Sequence, residues 1–570
     1  MAYVDERPDA AKLVRWNFLV AFVALGIGGL FGLIQALHRT GVYRGFVDSA
    51  DYYTLLTGHG VLLALVFTSF FIVGLYTWGV TRSLDRSLWG QANGFSRARF
   101  LTMLLGTLLA VVAILGGIIG QFPADLKADV LFTFYAPMQA HPIFYLGAVL
   151  LIVGTWMAGA DWFLTFWGWR KDNPDERIPL QTFMVLTTWI MWYLATLGVA
   201  VAVLFFLLPW SLGLIAEVDP LLTRTLFWYF GHPVVYFWLL PAYFVWYTIL
   251  PKLAGGRLFS DPLARVVFVL FVILSTPVGF HHQYLDPGIA EGFKFIAMTN
   301  TMFLLLPSLL TAFTVVASLE HGARQRGGSG LFGWLRSLPW DEPAFAGATL
   351  AGLMFAAGGF SGMINAGMNI NYLVHNTLWV PGHFHLTVGT AVALTFMAVS
   401  YWLVPQITGK RLQHRTMATV QPYLWFVGMT LMSNAMHRGG LAGIPRRTAE
   451  PEYQNVDFAT VLGGVGEIKT QIALGGVLLF ASLAMFLVVM TGTWMAERGR
   501  AKLSVNSYLP PALSGPENSP RVVDNLKLWT AIAVVLIVFA YALPLGSMLA
   551  DGPLSPGSPP FVPGVPVLPF

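Results

Sequence analysis

The chain has no cysteine among its 570 residues. Without thiolates there is no disulfide, no cysteine-held iron–sulfur cluster, no covalently attached c-type haem and no copper centre built on sulfur ligands. Any redox cofactor must be held by histidine or methionine. Charge is scarce too. Asp, Glu, Lys and Arg make up 11% of the residues, less than half of the roughly 25% usual in soluble domains. Hydrophobic residues make up 56%, and mean hydropathy is +0.66. That balance excludes a string of soluble domains and makes membrane lipid the first partner. The pI near 9.2 is therefore not a nucleic-acid signature, because basic residues have a topological use in membrane proteins.

What the chain does have is apolar runs of about 20 residues from end to end, each long enough to cross a bilayer. The pattern predicts an all-α integral membrane protein with thirteen spans, near 16–37, 57–80, 99–121, 141–168, 179–208, 222–251, 264–282, 294–318, 343–361, 379–405, 419–438, 467–494 and 527–549. The N-terminal MAYVDERPDAAKLVR is mixed in charge, and the apolar run from Trp16 to Ala36 is too long for a cleavable signal, so it reads as a retained first span. No internal repeat is evident. Residues 1–550 read as one polytopic unit, and residues 551–570 (DGPLSPGSPPFVPGVPVLPF) as an irregular Pro-rich tail outside the bilayer.

Charge orients the bundle. With the N-terminus cytoplasmic, alternating connections place 24 of the 33 Lys and Arg on the inner side, as the positive-inside rule requires. The C-terminus then lies outside. Arg446 and Arg447, paired in GIPRRTAE, stand on the outer side against that rule.

Of twelve histidines, His38, His321 and His414 fall in connecting segments and read as solvated. His59, His232, His281, His282, His383 and His385 come from four spans, and the topology places all six in the outer part of the membrane. Ionisable groups there are costly and usually functional. The alternative for any one of them is a histidine bonded to a neighbouring helix's carbonyl. His141 and His437 also lie near outer helix ends, and His375, in NYLVHNT, is a further candidate.

Spacing sorts the six. In WVPGHFHLTVG, His383 and His385 are two apart, which on a helix of 3.6 residues per turn turns them about 200° from each other. They suit two cofactors flanking one helix. His232 and Tyr236 are at i, i+4 and share a face. His281 and His282 are adjacent, and both can reach one ion only at a helix end. Three neutral imidazoles with an open position suit copper or zinc.

GHPVVYFWLLPAY, STPVGFHHQY and HNTLWVPGHFHL together resemble subunit I of the haem–copper terminal oxidases, in particular the B-type branch of ba-type cytochrome c oxidases. The resemblance runs from the first span to the last. It implies that His59 and His385 are axial ligands of a low-spin haem (haem b), and that His383 is the single ligand of a high-spin, a-type haem. It further implies that His232, His281 and His282 hold copper B, that Tyr236 is the catalytic tyrosine cross-linked to His232, and that Arg446, Arg447, His375 and Asn371 face haem propionates. A bis-histidine haem relays electrons, and a five-coordinate one keeps a position open for oxygen. Cleaving O–O without releasing a reduced intermediate takes four electrons almost at once, and a phenol such as Tyr236 can supply one with a proton.

Tyr236, Tyr243 and Tyr247 fall within about 40° on a helical wheel, and Ser308, Thr311 and Thr314 step by three along the eighth span. Each hydroxyl alone reads as satisfying a helix carbonyl. Two stripes leading to one site read as a proton path, and the positions match the single uptake channel of B-type enzymes. Val234 stands where A-type oxidases have a glutamate, so their second channel is not expected. Asn371 stands where close B-type relatives have an aspartate, and an amide cannot exchange a proton as a carboxyl does. Asp161, a lone acid within the fourth span, reads as a paired or snorkelling structural group.

The predicted function is that of the catalytic subunit of a prokaryotic plasma-membrane oxidase. It reduces O2 to water with electrons from cytochrome c and pumps protons. Since this chain cannot build a thiolate copper site, the dinuclear copper centre must come from a second subunit, and small single-span subunits are compatible with the assembly. Nitric-oxide reductase is the nearest rival, disfavoured by Tyr236 in HPVVY. A quinol oxidase differs only in a donor that this chain does not encode. A secondary transporter, a different class, would show paired broken helices.

Overall fold

An apolar segment in lipid must satisfy its own backbone, and the α-helix does so within one segment. The structure, a computed structural model, describes residues 2–42, 47–119, 126–449, 460–497 and 509–550. Among these residues there is no β-strand, only two isolated bridges. After a short helical turn at Tyr3–Glu6 come α1 (Pro8–Arg39), α2 (Ser49–Ser83), α3 (Phe95–Ile119), α4 (Pro142–Asp172) and α5 (Leu180–Ser211). There follow α6 (Pro220–Leu253), α7 (Asp261–Leu274), α8 (Glu291–Gln325), α9 (Pro343–Ala366) and the short α10 (Met368–Val374). The last four are α11 (Trp379–Thr408), α12 (Arg415–Leu441), α13 (Val465–Met495) and α14 (Leu526–Ala550).

Eleven of these helices, all but α7, α10 and α12, are long and apolar enough to span a membrane. The α7 helix and the 3-10 segment Thr276–Gln283 meet at a 57° bend and together make a twelfth. The predicted span at 419–438 is present as the 27-residue α12. It is less apolar than the others because Gln421, Ser433, Asn434, His437 and Arg438 punctuate it. The Pro-rich tail at 551–570 lies outside the described residues.

Local chemistry starts several helices. The Asp219 carboxylate accepts from the Leu221 and Leu222 amides, with Pro220 in the first turn, and Ser260 caps α7 through the Leu263 amide. Both satisfy donors that a helix start leaves open. Inside the bundle aromatic rings lock spans together. Phe71 of α2 lies between Phe18 of α1 at 4.4 Å and Phe396 of α11 at 4.3 Å. Trp192 of α5 stacks on Phe237 of α6 at 3.8 Å.

Of the two readings of Asp161, paired or snorkelling, the structure shows the first, with the side chain fully buried. Its carboxylate takes Arg99 Nε at 3.5 Å, the Ser96 hydroxyl at 2.6 Å and the Gly90 amide at 2.7 Å. His38 corrects the expectation of a solvated residue. The α1 helix runs on to Arg39, so His38 sits in its last turn against the Tyr52 ring and is 6% exposed.

Candidate metal and cofactor site

The six histidines predicted from the topology converge. His59, His232, His281, His282, His383 and His385 all line one cavity of about 550 Å³, which α11 divides into two sides.

On the first side, His59 of α2 and His385 of α11 face each other. Their ring centroids are 6.4 Å apart and their planes differ by 19°. Each Nδ1 is engaged, with the Gly28 carbonyl at 2.8 Å for His59 and the Pro381 carbonyl at 2.7 Å for His385. A carbonyl only accepts, so both Nδ1 atoms carry hydrogen and both Nε2 atoms are free bases. The separation of the rings leaves room for one metal ion between the two free Nε2 atoms, at bonds of about 2 Å each. Gly32 on α1 admits the His59 ring, since a Cβ there would lie 2.7 Å from Cε1.

On the other side, His383 turns to α9, where its Nδ1 meets the Gly358 carbonyl at 2.9 Å and the Ser361 hydroxyl at 3.1 Å. Its Nε2 is likewise a free base. Gly362 is the matching gap, where a Cβ would lie 2.7 Å from the ring's Cε1. The i, i+2 spacing therefore separates the two rings as helix geometry predicts.

Farther into that side stand His232, His281 and His282, whose ligand atoms all lie within 4.8 Å of one another. His232 Nδ1 and His282 Nε2 are 3.1 Å apart, the spacing that two bonds of about 2 Å make around one ion. The backbone sets this up twice. Pro233 removes a helix donor beside His232, and the bend after α7 puts the adjacent His281 and His282 on a 3-10 turn. Thr301 holds His281 Nδ1 at 2.8 Å, and the Trp228 indole stacks on His282 at 3.9 Å and 7°. His232 Nε2 is buried with no hydrogen-bond partner, and the Tyr236 ring centroid stands 4.9 Å from that imidazole's. These donors fit a metal.

At one end of the cavity are Arg446, Arg447, His375 and Asn371. The Arg446 guanidinium donates to Asn376 Oδ1 at 2.9 Å, and Arg447 donates to the Thr133 hydroxyl at 3.4 Å and lies over the Tyr135 ring. Arg224, ion-paired to Asp286 at 2.9 Å, covers the same ring. Burial and the neighbouring Arg447 lower Arg446 to about 9, which leaves it cationic at neutral pH, and the cluster of arginines makes this end attract anions. Toward α8, Tyr243 donates to Ser308 at 3.3 Å and Tyr247 meets Thr311 at 2.6 Å. Thr314, fully buried, donates to the Leu310 carbonyl one turn back. Tyr236 and Ser308 both line the cavity, which joins them where no direct bond does.

Sequence reasoning missed the carbonyls of Gly28, Pro381 and Gly358, and also Thr301, Trp228, Arg224 and Asp286. It also missed π-helical turns at Val61–Phe67 and Thr387–Val392, each starting two residues after one of the facing histidines, His59 and His385. Such turns mark functional positions in helices, and no residue pattern in these stretches announces them.

A multi-span helical bundle that turns paired and single imidazoles onto one cavity, beside a three-histidine cluster, defines the class of membrane haem–copper enzymes. The sequence model of the family described as cytochrome c and quinol oxidase polypeptide I matches residues 12–468, and the chain belongs to that family. It is 42% identical to cytochrome c oxidase subunit 1 of Thermus thermophilus, over 94% of this chain and 95% of that protein. It is 26% identical to quinol oxidase subunit 1 of Bacillus subtilis, over 80% of this chain and 70% of that one. A solved haem–copper terminal oxidase dimer superposes with a TM-score of 0.87 at 36% identity, covering 97% of this chain and 96% of that one.

Proposed function

We propose that this chain is the oxygen-reducing subunit of a B-type cytochrome c oxidase, a multi-pass protein of the bacterial plasma membrane. The observation that carries the reading is the shared cavity, with His59 and His385 facing each other on one side and His383 opposite the His232, His281 and His282 cluster on the other. A low-spin haem between the first pair would relay electrons, and a high-spin, a-type haem with copper B would supply the site where O2 is bound and reduced. The protein's part is positional. Carbonyls at Gly28, Pro381 and Gly358 fix three imidazoles with Nε2 free, and Phe384 joins the two haem ligands along the chain.

Tyr236 holds a proton on its phenol beside the copper ligands. The unpartnered His232 Nε2 next to its ring supports the covalent link that the family resemblance implies. The Tyr243–Ser308 and Tyr247–Thr311 contacts support a proton route between α6 and α8, with Thr314 continuing its polar stripe. Arg446, Arg447 and His375 form an end of the cavity suited to propionates. The distribution of Lys and Arg supports a cytoplasmic N-terminus and an outer C-terminus. The lack of cysteine supports a second subunit as the source of the dinuclear copper entry site through which cytochrome c would deliver electrons.

The test is oxygen consumption by the purified complex with reduced cytochrome c and, separately, with quinol. Turnover with cytochrome c and little with quinol is expected. Turnover with quinol alone would reassign the donor, and no haem absorption would end the reading.

A further inference from the structure

Asn371 and His375 are four residues apart at the end of α10, and both line the cavity at its arginine-rich end. Asn371 is 6% exposed, and both halves of its amide are engaged. Nδ2 donates to the backbone carbonyl of Asn365 at 2.6 Å, and Oδ1 stands 3.0 Å from His375 Nδ1.

This arrangement has one consistent assignment of hydrogens. The Asn365 carbonyl can only accept, so the amide nitrogen must face it and the amide oxygen must face His375. An amide oxygen also only accepts, so His375 Nδ1 carries the hydrogen. The backbone holds both residues in place, with the His375 amide donating to the Asn371 carbonyl at 2.7 Å and the Asn371 amide donating to Gly367 at 2.8 Å.

We propose that Asn371 is a positioning residue that locks His375 as its Nδ1–H tautomer, leaving Nε2 as the only ring nitrogen this corner offers to a ligand. Because Nε2 is then a bare acceptor, it repels a carboxylate and binds a carboxylic acid or a water. Resting on the functional reading above, this means that a propionate beside His375 meets Nε2 only through a hydrogen placed between them, either the proton of its own acid form or that of a bridging water. Asn371 itself donates nothing to that group.

The surrounding positive charges keep the imidazole itself neutral. Arg446 and Arg447 come from the segment after α12, and Arg224 comes from α6 with Asp286 as its partner. Lys469 of α13 also lines the cavity. Burial, with Arg446 and Arg224 nearby, lowers His375 to about 4, so the imidazole is neutral and its tautomer decides what it can bind. A carboxylate in place of the amide would favour an imidazolium and add a second group able to take the proton.

The test is redox-difference infrared spectroscopy of the purified complex with isotope-labelled histidine, using His375→Gln to identify the His375 ring bands. The ring-stretch position separates Nδ1–H from Nε2–H imidazole. Wild type is expected to show the Nδ1–H band alone. Asn371→Leu, similar in volume, is expected to lose that single band and show both tautomers. Asn371→Asp is expected to keep it at acid pH, where the protonated acid copies the amide's donor and acceptor, and to lose it as pH rises. An Nε2–H band in wild type, or an unchanged band in Asn371→Leu, would overturn the proposal. The haem absorption of the same samples separates the two levels: haem bands with the wrong tautomer refute only the role of Asn371, and missing haem bands refute the functional reading.

Discussion

His383 and His385 sit two residues apart on α11 and serve opposite sides of it. The first ring is held by the Gly358 carbonyl of α9 at 2.9 Å, and the second lies across from His59 of α2, with ring centroids 6.4 Å apart. On the function proposed above, their separation makes the two haem sites independently removable. His385→Leu is expected to abolish the low-spin haem absorption while keeping the carbon monoxide difference spectrum of the other haem. His383→Leu is expected to do the reverse. Loss of both signals together in either folded variant would contradict the division of roles.

Gly362 tests the fit around His383. A Cβ there lies 2.7 Å from the imidazole, whereas at Gly352 on the same helix it would make an ordinary contact of 3.9 Å with Trp246. Overpacking of this kind costs about 1–3 kcal/mol. Gly362→Ala is therefore expected to lower the occupancy or shift the spectrum of the high-spin haem, and Gly352→Ala to leave it unchanged. Optical titration of the haem content of both variants checks this.

The contacts between α6 and α8 predict a split between stability and turnover. Tyr247→Phe breaks its bond to Thr311, and Tyr76→Phe breaks a comparable buried bond to Thr188 at 3.1 Å between α2 and α5. Each loss is worth about 1 kcal/mol of stability. Only Tyr247→Phe is expected to slow oxygen consumption, by about tenfold or more, equivalent to about 1.4 kcal/mol in barrier. Equal turnover in the two variants would argue against a route through Tyr247.

Asp161 and Arg99 predict the opposite pattern. Their side chains are 0% and 1% exposed, and removing one partner of such a pair costs roughly 3–5 kcal/mol. Asp161→Asn is expected to reduce the yield and thermal stability of the complex. The haem spectra and turnover per folded molecule are expected to match wild type, because the pair contacts none of the cofactor-site residues.

Much of this was legible in the residues. Span length and hydropathy located the helices, because lipid leaves the backbone few alternatives. The 200° turn between His383 and His385, and the shared face of His232 and Tyr236, followed from helix periodicity alone. What escaped was whatever depends on a neighbouring backbone. The carbonyl that fixes each imidazole's tautomer belongs to Gly28, Pro381 or Gly358, and a carbonyl has no sequence signature. The π-helical turns after His59 and His385 were hidden for the same reason. His38 was misplaced because two extra helical residues carried it from a connection into the last turn of α1, against Tyr52. Thr314, predicted on the polar stripe, is buried there and bonded to its own helix, while Tyr243 and Tyr247 reach across to Ser308 and Thr311.

The central claim is that one chain holds two haems and one copper around α11. Haem and copper quantification of the purified protein, repeated on His282→Ala, tests it most directly. The account predicts two haems and one copper per chain, with the substitution removing copper and keeping both haems. A haem-free wild type, or a variant that keeps its full copper, would contradict it.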